Sequence, residues 1–255
     1  MIPEVRRDKI LSMLRTEEVC SIKNLVSELG VSRITIQRDL TLLEENGLIA
    51  KVHGGARISR QESGVFETRF SIRYKQNHKK KLQIARKALP FARRQGCIFI
   101  DSSTTAHVFG IELFRQNVHD LVIVTNAPSL LSEATAYPES KIISTGGELL
   151  RSFSMYAGEW VLEFLDRINI DCAFISAAGI SEDLKITTGH RELSSVLVKV
   201  IQKSAEVNLL IDSTKVFRQG MITVAGVGDL TRIIIDDGIT DGQKNILSRS
   251  GVEIA

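Results

Sequence analysis

Residues 31–40 read Val31-Ser32-Arg33-Ile34-Thr35-Ile36-Gln37-Arg38-Asp39-Leu40, at the centre of a stretch running from Ser21 to Ala56. The stretch reads as two helices joined by a tight turn. Ile22, Leu25, Val26 and Leu29 recur at helical spacing, with Ser21 placed to cap the start. Gly30 follows the last periodic residue, where a left-handed turn favours a residue without a Cβ. The Ser32 hydroxyl can accept an orphan amide of a second helix. Ile36, Leu40 and Leu43 share one face of that helix, which turns Arg33, Gln37, Arg38 and Thr41 outward, with Thr35 beside them. Arg and Gln make paired hydrogen bonds to base edges in a major groove.

The residues beyond Leu43 extend this reading. Gly47 is expected to end the helix after Glu44-Glu45-Asn46. Leu48-Ile49-Ala50-Lys51-Val52 is strand-like, and His53-Gly54-Gly55-Ala56-Arg57 supplies a flexible basic hairpin. A helix-turn-helix followed by such a ribbon is a winged DNA reader. The plain alternative is a pair of solvated surface helices. Turn, cap, basic outward face and wing in the right order favour DNA. The residues expected to meet it are Ser32, Arg33, Thr35, Gln37, Arg38, Lys51 and His53. Val31-Ser32, Thr35-Ile36, Arg38-Asp39-Leu40, Leu43-Glu44, Gly47 and His53-Gly54-Gly55-Ala56 resemble the DeoR family of bacterial transcription regulators. That family more often carries Arg where Gln37 stands.

The 255 residues amount to one large or two ordinary domains, and a composition 43% hydrophobic and 25% charged supplies a sizeable core. Net charge is +3, but it is unevenly spread. Residues 1–60 carry ten Lys/Arg against eight Asp/Glu, and residues 61–81 carry six against two. Positive charge thus gathers in the first third, as a phosphate-facing segment requires. Cys20, Cys97 and Cys172 are far apart and lack metal-ligand spacing, so they read as buried free thiols, with neither disulfides nor a bound metal. The N-terminus lacks an apolar signal core, and no run reaches the ~20 apolar residues of a membrane span. The expectation is a cytoplasmic protein with no membrane contact and no cofactor.

The organisation expected is a winged helix-turn-helix domain over residues 1–58, a linker over 59–76, and a larger α/β domain over 77–255. A first helix runs from about Pro3 to Leu14 with Val5, Ile10, Leu11 and Leu14 on one face, and Val19-Cys20-Ser21 is a short link. The linker becomes helical near Phe66 to Tyr74. Lys79-Lys80-Lys81 then opens a helix, as a solvated face or as added phosphate contacts. Beyond it, short apolar strands alternate with helices. The strands are Cys97–Ile100, Leu121–Val124, Lys141–Ser144, Cys172–Ile175, Val207–Ile211 and Arg232–Ile235. Runs so continuously apolar suit a mostly parallel sheet covered on both faces.

Five strands end in polar or glycine-rich turns, which in a parallel sheet share one edge, where ligands bind. Asp101-Ser102-Ser103-Thr104-Thr105 leads into a helix whose free amides suit a phosphate. Thr125-Asn126 follows the next strand. Gly146-Gly147 lets backbone amides approach an anion. Ser176-Ala177-Ala178-Gly179 and Asp212-Ser213-Thr214-Lys215 complete the edge, with Lys215 able to neutralise charge and Asp101, Asn126 and Asp212 able to hold sugar hydroxyls. Each turn alone reads as ordinary turn chemistry; five together point to a small-molecule site.

The DeoR resemblance continues through Asp101–Thr105, Val124-Thr125-Asn126, Gly146-Gly147, Asp171–Phe174, Ala178-Gly179-Ile180, Thr187-Thr188, Val198-Lys199 and Asp212–Lys215, and so covers nearly the whole chain. It implies an effector domain similar to ribose-5-phosphate isomerase that binds phosphorylated sugars, with Lys199 among its contacts. This chain departs from the family at Ser103, where Gly is usual, and at Ser194-Ser195, near which an acidic residue is common. The function expected is a DNA-binding repressor of a carbohydrate operon, a homodimer or homotetramer, with operator affinity set by a phosphorylated sugar. The alternatives are a sugar-phosphate isomerase carrying a DNA reader, which would need a carboxylate base such as Asp101 or Asp212, and a DNA-binding scaffold without a ligand.

Overall fold

The computed structural model describes residues 3–17, 19–45, 49–52, 54–58, 69–92, 96–116, 121–139 and 141–255. The chain divides into two compact units, Met1–Gln76 and Asn77–Ala255.

In the first unit, helices α1 (Pro3–Thr16), α2 (Ile22–Leu29) and α3 (Arg33–Glu45) pack with strands β1 (Val19–Ser21), β2 (Ile49–Val52) and β3 (Gly55–Ile58). The local signals act as expected. Ser21 Oγ accepts the Asn24 amide, and Gly30 takes φ 64° and donates to Val26 O. Ser32 Oγ accepts the Thr35 amide at 3.2 Å. Ile10, Leu14, Leu25, Ile36, Leu40 and Leu43 close the core.

Two expectations are corrected. Val19-Cys20-Ser21 is not a link but the outer strand of the wing sheet, paired antiparallel with Gly55–Arg57. Gly55 is required there, since a Cβ on it would lie 2.3 Å from Cys20 O. On α1, Val5 is 48% exposed and Arg6 is buried in its stead. Arg6 Nε donates to Asp39 Oδ2 at 2.6 Å, with Arg7 Nη1 3.8 Å from the other oxygen. The face of α1 is therefore turned to serve an ion pair that an apolar count does not detect. Asp39 faces inward from α3 while its neighbour Arg38 faces out. Helix α4 (Arg69–Lys75) closes the unit. Asn46, Gly47, Leu48 and His53, read as helix end and wing tip, lie outside the described residues.

The second unit is an α/β domain. In chain order it comprises α5 (His78–Ala92), β4 (Cys97–Ile100), α6 (Thr104–Phe114), β5 (Val122–Thr125), α7 (Pro128–Ala134) and β6 (Lys141–Ser144). There follow β7 (Glu148–Leu150), β8 (Met155–Ala157), α8 (Glu159–Asp166), β9 (Ile170–Ile175), β10 (Gly179–Ile180), β11 (Lys185–Thr188) and α9 (Arg191–Lys203). Last come β12 (Ser204–Ile211), β13 (Ile222–Gly226), β14 (Arg232–Ile235), α10 (Asp241–Ser248) and β15 (Glu253–Ile254). Seven strands form one sheet in the order β15-β14-β12-β9-β4-β5-β6, every pairing parallel. The strands are apolar along their length because helices cover both faces; Ile98, Phe99, Ile100, Phe174 and Leu209 are fully buried. Two small antiparallel sheets, β10-β11-β13 and β7-β8, join it unannounced by the sequence. Their strands are two to five residues long and mixed in polarity, so no periodic signal marks them.

The strand order has one reversal. From β4 the chain steps outward to β5 and β6, then returns to the other side of β4 and steps outward through β9, β12, β14 and β15. The connections leaving β4 and β9 therefore diverge, which opens a crevice at their carboxyl ends.

His107 lies within α6, 4% exposed, and burial pushes its pKa down to about 4. It is therefore neutral when folded, whereas an unfolded histidine protonates near 6.5. The folded state loses stability as pH falls from 6.5 towards 4, by up to about 3 kcal/mol, and gains nothing further above that range. Urea unfolding at pH 7.5 and 4.5 should show this loss, and His107→Gln should reduce it. An equal loss in the variant would place the pH dependence elsewhere.

Candidate functional site

The outward face of α3 is assembled as the spacing of its residues demands. Arg33, Gln37 and Arg38 are exposed, and none has a side-chain partner among the described residues. Ile34, 63% exposed, stands on the same face, where its methyl groups suit contact with a thymine methyl. Sequence reasoning misses it because an apolar residue is counted as core by default, although its spacing from Arg38 already places it outside. Ser32 is occupied as a cap, its hydroxyl 2.9 Å from Thr35 Oγ1. Lys51 is drawn toward α3, its ammonium 2.8 Å from Thr41 Oγ1 and 3.1 Å from Glu44 Oε2. Its amide also donates to Glu44, and these bonds hold the Glu44 carboxyl below the ordinary range. The wing is thereby tied to the helix that presents the basic face.

At the crevice of the second unit, Asp101 is the first residue after β4 and is completely buried. Its Oδ1 accepts the Ser103 amide at 2.9 Å, and its Oδ2 accepts the Ser176 amide at 2.9 Å from the end of β9. Burial pushes its pKa up, against these bonds and the Lys215 charge, which pull it down. Both oxygens serve the protein's own backbone, so Asp101 holds the crevice edges together. Ser103 caps α6, accepting the Ala106 amide at 3.1 Å. Ser102, Thr104 and Thr105 are buried around that helix start. Lys215 Nζ donates to Ala177 O at 3.0 Å, which brings its charge to the same place.

The neighbouring turns are built to match. Thr125 Oγ1 donates to Ile100 O at 2.7 Å and accepts the Ala127 amide, tying β5 to β4. Asn126 is fully buried, and its Nδ2 donates to Tyr156 O at 3.2 Å. Gly146 and Gly147 take φ 65° and 109°. A Cβ on Gly146 would meet nothing within 4 Å, whereas one on Gly147 would lie 2.5 Å from Val161 Cγ2. Gly146 therefore faces open space, and Gly147 is small for packing. Asp212 caps the turn Ser213–Lys215 by accepting the Thr214 amide at 3.1 Å.

One expected contact, Lys199, is not brought to this edge, and Gly179 has a packing role. Lys199 Nζ lies 2.9 Å from both oxygens of Asp166, and Lys203 Nζ reaches Asp166 O. Asp166 ends α8 just before β9 begins, so Lys199 sits where the strands start, at the opposite end of the sheet. Gly179 belongs to β10, and a Cβ there would lie 2.3 Å from Arg218 O, so it is needed for close backbone packing. Ser176, which the sequence places in a turn of this edge without a role of its own, has its hydroxyl buried at the crevice without a partner.

Within the lysine run only Lys79 is exposed. Lys81 is 4% exposed. Lys80 Nζ lies 2.6 Å from Ser213 Oγ and 3.2 Å from Asp236 Oδ2. Asp236 also accepts the amides of Ser213 at 2.6 Å and Gly238 at 2.9 Å. Burial alone would raise the Asp236 carboxyl, but these bonds together hold it below the ordinary range.

A capped helix with a free basic face, braced by a wing and followed in the chain by a parallel α/β domain with one switch point, defines the class of winged helix-turn-helix DNA-binding regulators. Residues 6–62 match a DeoR-like helix-turn-helix domain, and residues 76–237 match a DeoR C terminal sensor domain. The chain belongs to the DeoR family of transcription regulators. It is 30% identical to the HTH-type transcriptional regulator GlpR of Haloferax volcanii, over 100% of this chain and 96% of that one. It is 27% identical to the lactose phosphotransferase system repressor of Staphylococcus aureus, over 91% of each. Ribose 5-phosphate isomerase A of Methanocaldococcus jannaschii superposes with a TM-score of 0.41 and 19% identity over 55% of each chain. The strand order, and not that likeness, defines the fold.

Asp101→Asn keeps the shape of the side chain but sets an amide donor against one of two backbone donors. It should lower stability by about 1–3 kcal/mol in urea unfolding followed by circular dichroism. A variant as stable as the parent would show that the carboxylate does not hold the crevice.

Proposed function

We propose that the protein is a cytoplasmic repressor of a carbohydrate operon, binding its operator through α3 as a dimer or tetramer and responding to a phosphorylated sugar at the β4–β9 crevice. The observation that carries this reading is the pairing of two independent surfaces in one chain. One is a helix face of Arg33, Gln37 and Arg38 with no internal partners among the described residues. The other is a buried strand edge where Lys215 and the start of α6 gather positive charge and donors. The sugar-operon role is supported by the names of the relatives, one of them a repressor. Binding in preference to isomerisation is supported by the relatives, which are named as transcriptional regulators and repressors. A single recognition helix offers a small interface, so paired half-sites and at least two copies fit the reader's geometry. No helix among the described residues is long and apolar enough to cross a membrane.

The test selects binding sites from a random DNA pool and measures affinity by anisotropy. Arg38→Ala should weaken specific binding by about 1–3 kcal/mol, with the thermal midpoint unchanged. Unchanged affinity would remove α3 from the interface. In parallel, a sugar phosphate at 100 times its dissociation constant should add about 2.7 kcal/mol of stability and shift the unfolding temperature by some degrees. The unphosphorylated parent should not.

A further inference from the structure

Ile34 occupies a place that neither the core nor the helix requires of it. It is 63% exposed, the most exposed large apolar side chain described in the first unit. The core of that unit and the apolar side chains packed on it include Val31 and Ile36 but not Ile34. A β-branched residue is also a poorer helix former than Ala, Lys or Gln. Nothing within the described unit therefore favours isoleucine at this position.

Its setting on α3 is specific. At 3.6 residues per turn, Ile34, Arg38 and Thr41 run down the middle of the face opposite Ile36, Leu40 and Leu43. Arg33 and Gln37 lie along one side of that row. The hydroxyls on this face are engaged by the protein itself. Thr41 Oγ1 donates to Gln37 O at 2.9 Å and lies 2.8 Å from Lys51 Nζ. The Ser32 and Thr35 hydroxyls lie 2.9 Å apart, and Ser32 Oγ accepts the Thr35 amide. Ile34 is two residues beyond this cap, at the end of the second helix that meets base edges in a helix-turn-helix.

Base pairs present donors and acceptors in the major groove, and the thymine C5-methyl is the one apolar group among them. Isoleucine set against a polar edge would strip water from it and return no hydrogen bond. We infer that Ile34 is a specificity-determining residue of the reader, selecting a thymine in each operator half-site through that methyl. The inference rests on the placement of α3 in the major groove and narrows it. The partner is duplex DNA with a T·A pair held at one place in each half-site, and the contact is apolar. Arg33, Gln37 and Arg38, whose heads have no partner among the described residues, supply the polar contacts around it.

A deoxyuridine scan tests this. Sites selected from a random DNA pool by the full parent chain supply the operator. Each thymine of one half-site is then replaced by deoxyuridine, which removes the methyl and leaves base pairing intact. Anisotropy should show one position at which the parent chain loses affinity by about fourfold, the effect of one methyl-sized group returned to water. Ile34→Ala should bind the unmodified operator more weakly and lose little further at that position. Ala is the better helix former, so an unchanged thermal midpoint is expected. A scan in which the parent chain loses nothing at any thymine overturns the inference. So does an Ile34→Ala protein that loses as much as the parent at the same thymine. In both cases weakened binding by Arg38→Ala leaves the placement of α3 standing. If the pool yields no site, or Arg38→Ala binds as the parent does, that placement falls and the inference with it.

Discussion

The second unit depends on one carboxylate. A parallel sheet whose strand order reverses must leave a gap where connections diverge, and here the gap opens between β4 and β9. Asp101 bridges it, receiving the amide of its own helix-start turn on one oxygen and the amide of Ser176 on the other. Burying an acid is costly, and the upward push on its pKa records that cost. Two charge-assisted bonds and the nearby Lys215 oppose it. The outcome is a switch-point crevice whose two edges are joined at their base.

The first unit uses the same device at another scale. Asp39 lies inward on α3 and takes Arg6 from α1, while the adjacent Arg38 is left to the surface. One turn of helix thus both secures the reader and presents it. Charge in this chain is frequently structural. Lys51 is held by Glu44 and Thr41, and Lys80 is held by Asp236 and Ser213. The excess of positive charge in the first third therefore overstates what remains for phosphates. Arg33 and Arg38 keep their heads unengaged among the described residues.

The reader is legible in the sequence because its determinants are local. Ser21, Gly30 and Ser32 act within four residues of themselves, and Ile36, Leu40 and Leu43 share one helical face. The six long strands are legible from apolar runs alone, and their carboxyl-end turns follow once the sheet is taken as parallel. What escapes is non-local. Strand β1 exists because Cys20 meets Ala56, and three residues carry no period of their own. Arg6 reads as surface until Asp39 is placed beside it. Lys199 enters the site only by resemblance, which transfers a position along the chain but not the end of the sheet at which it falls. The structural role of Asp101 is non-local as well: the bond from Ser176 to its carboxylate spans 75 residues and leaves no local signal.

That bond has a consequence for how the family can diversify. Because Asp101 joins β4 to β9 through bonds to the protein's own backbone, the frame of the crevice is set within the fold. The side chains that stand unpaired around the frame, such as Asn126 and Ser176, can be exchanged one at a time while the sheet edges stay joined. Such exchanges alter what the crevice presents and leave the join between β4 and β9 in place.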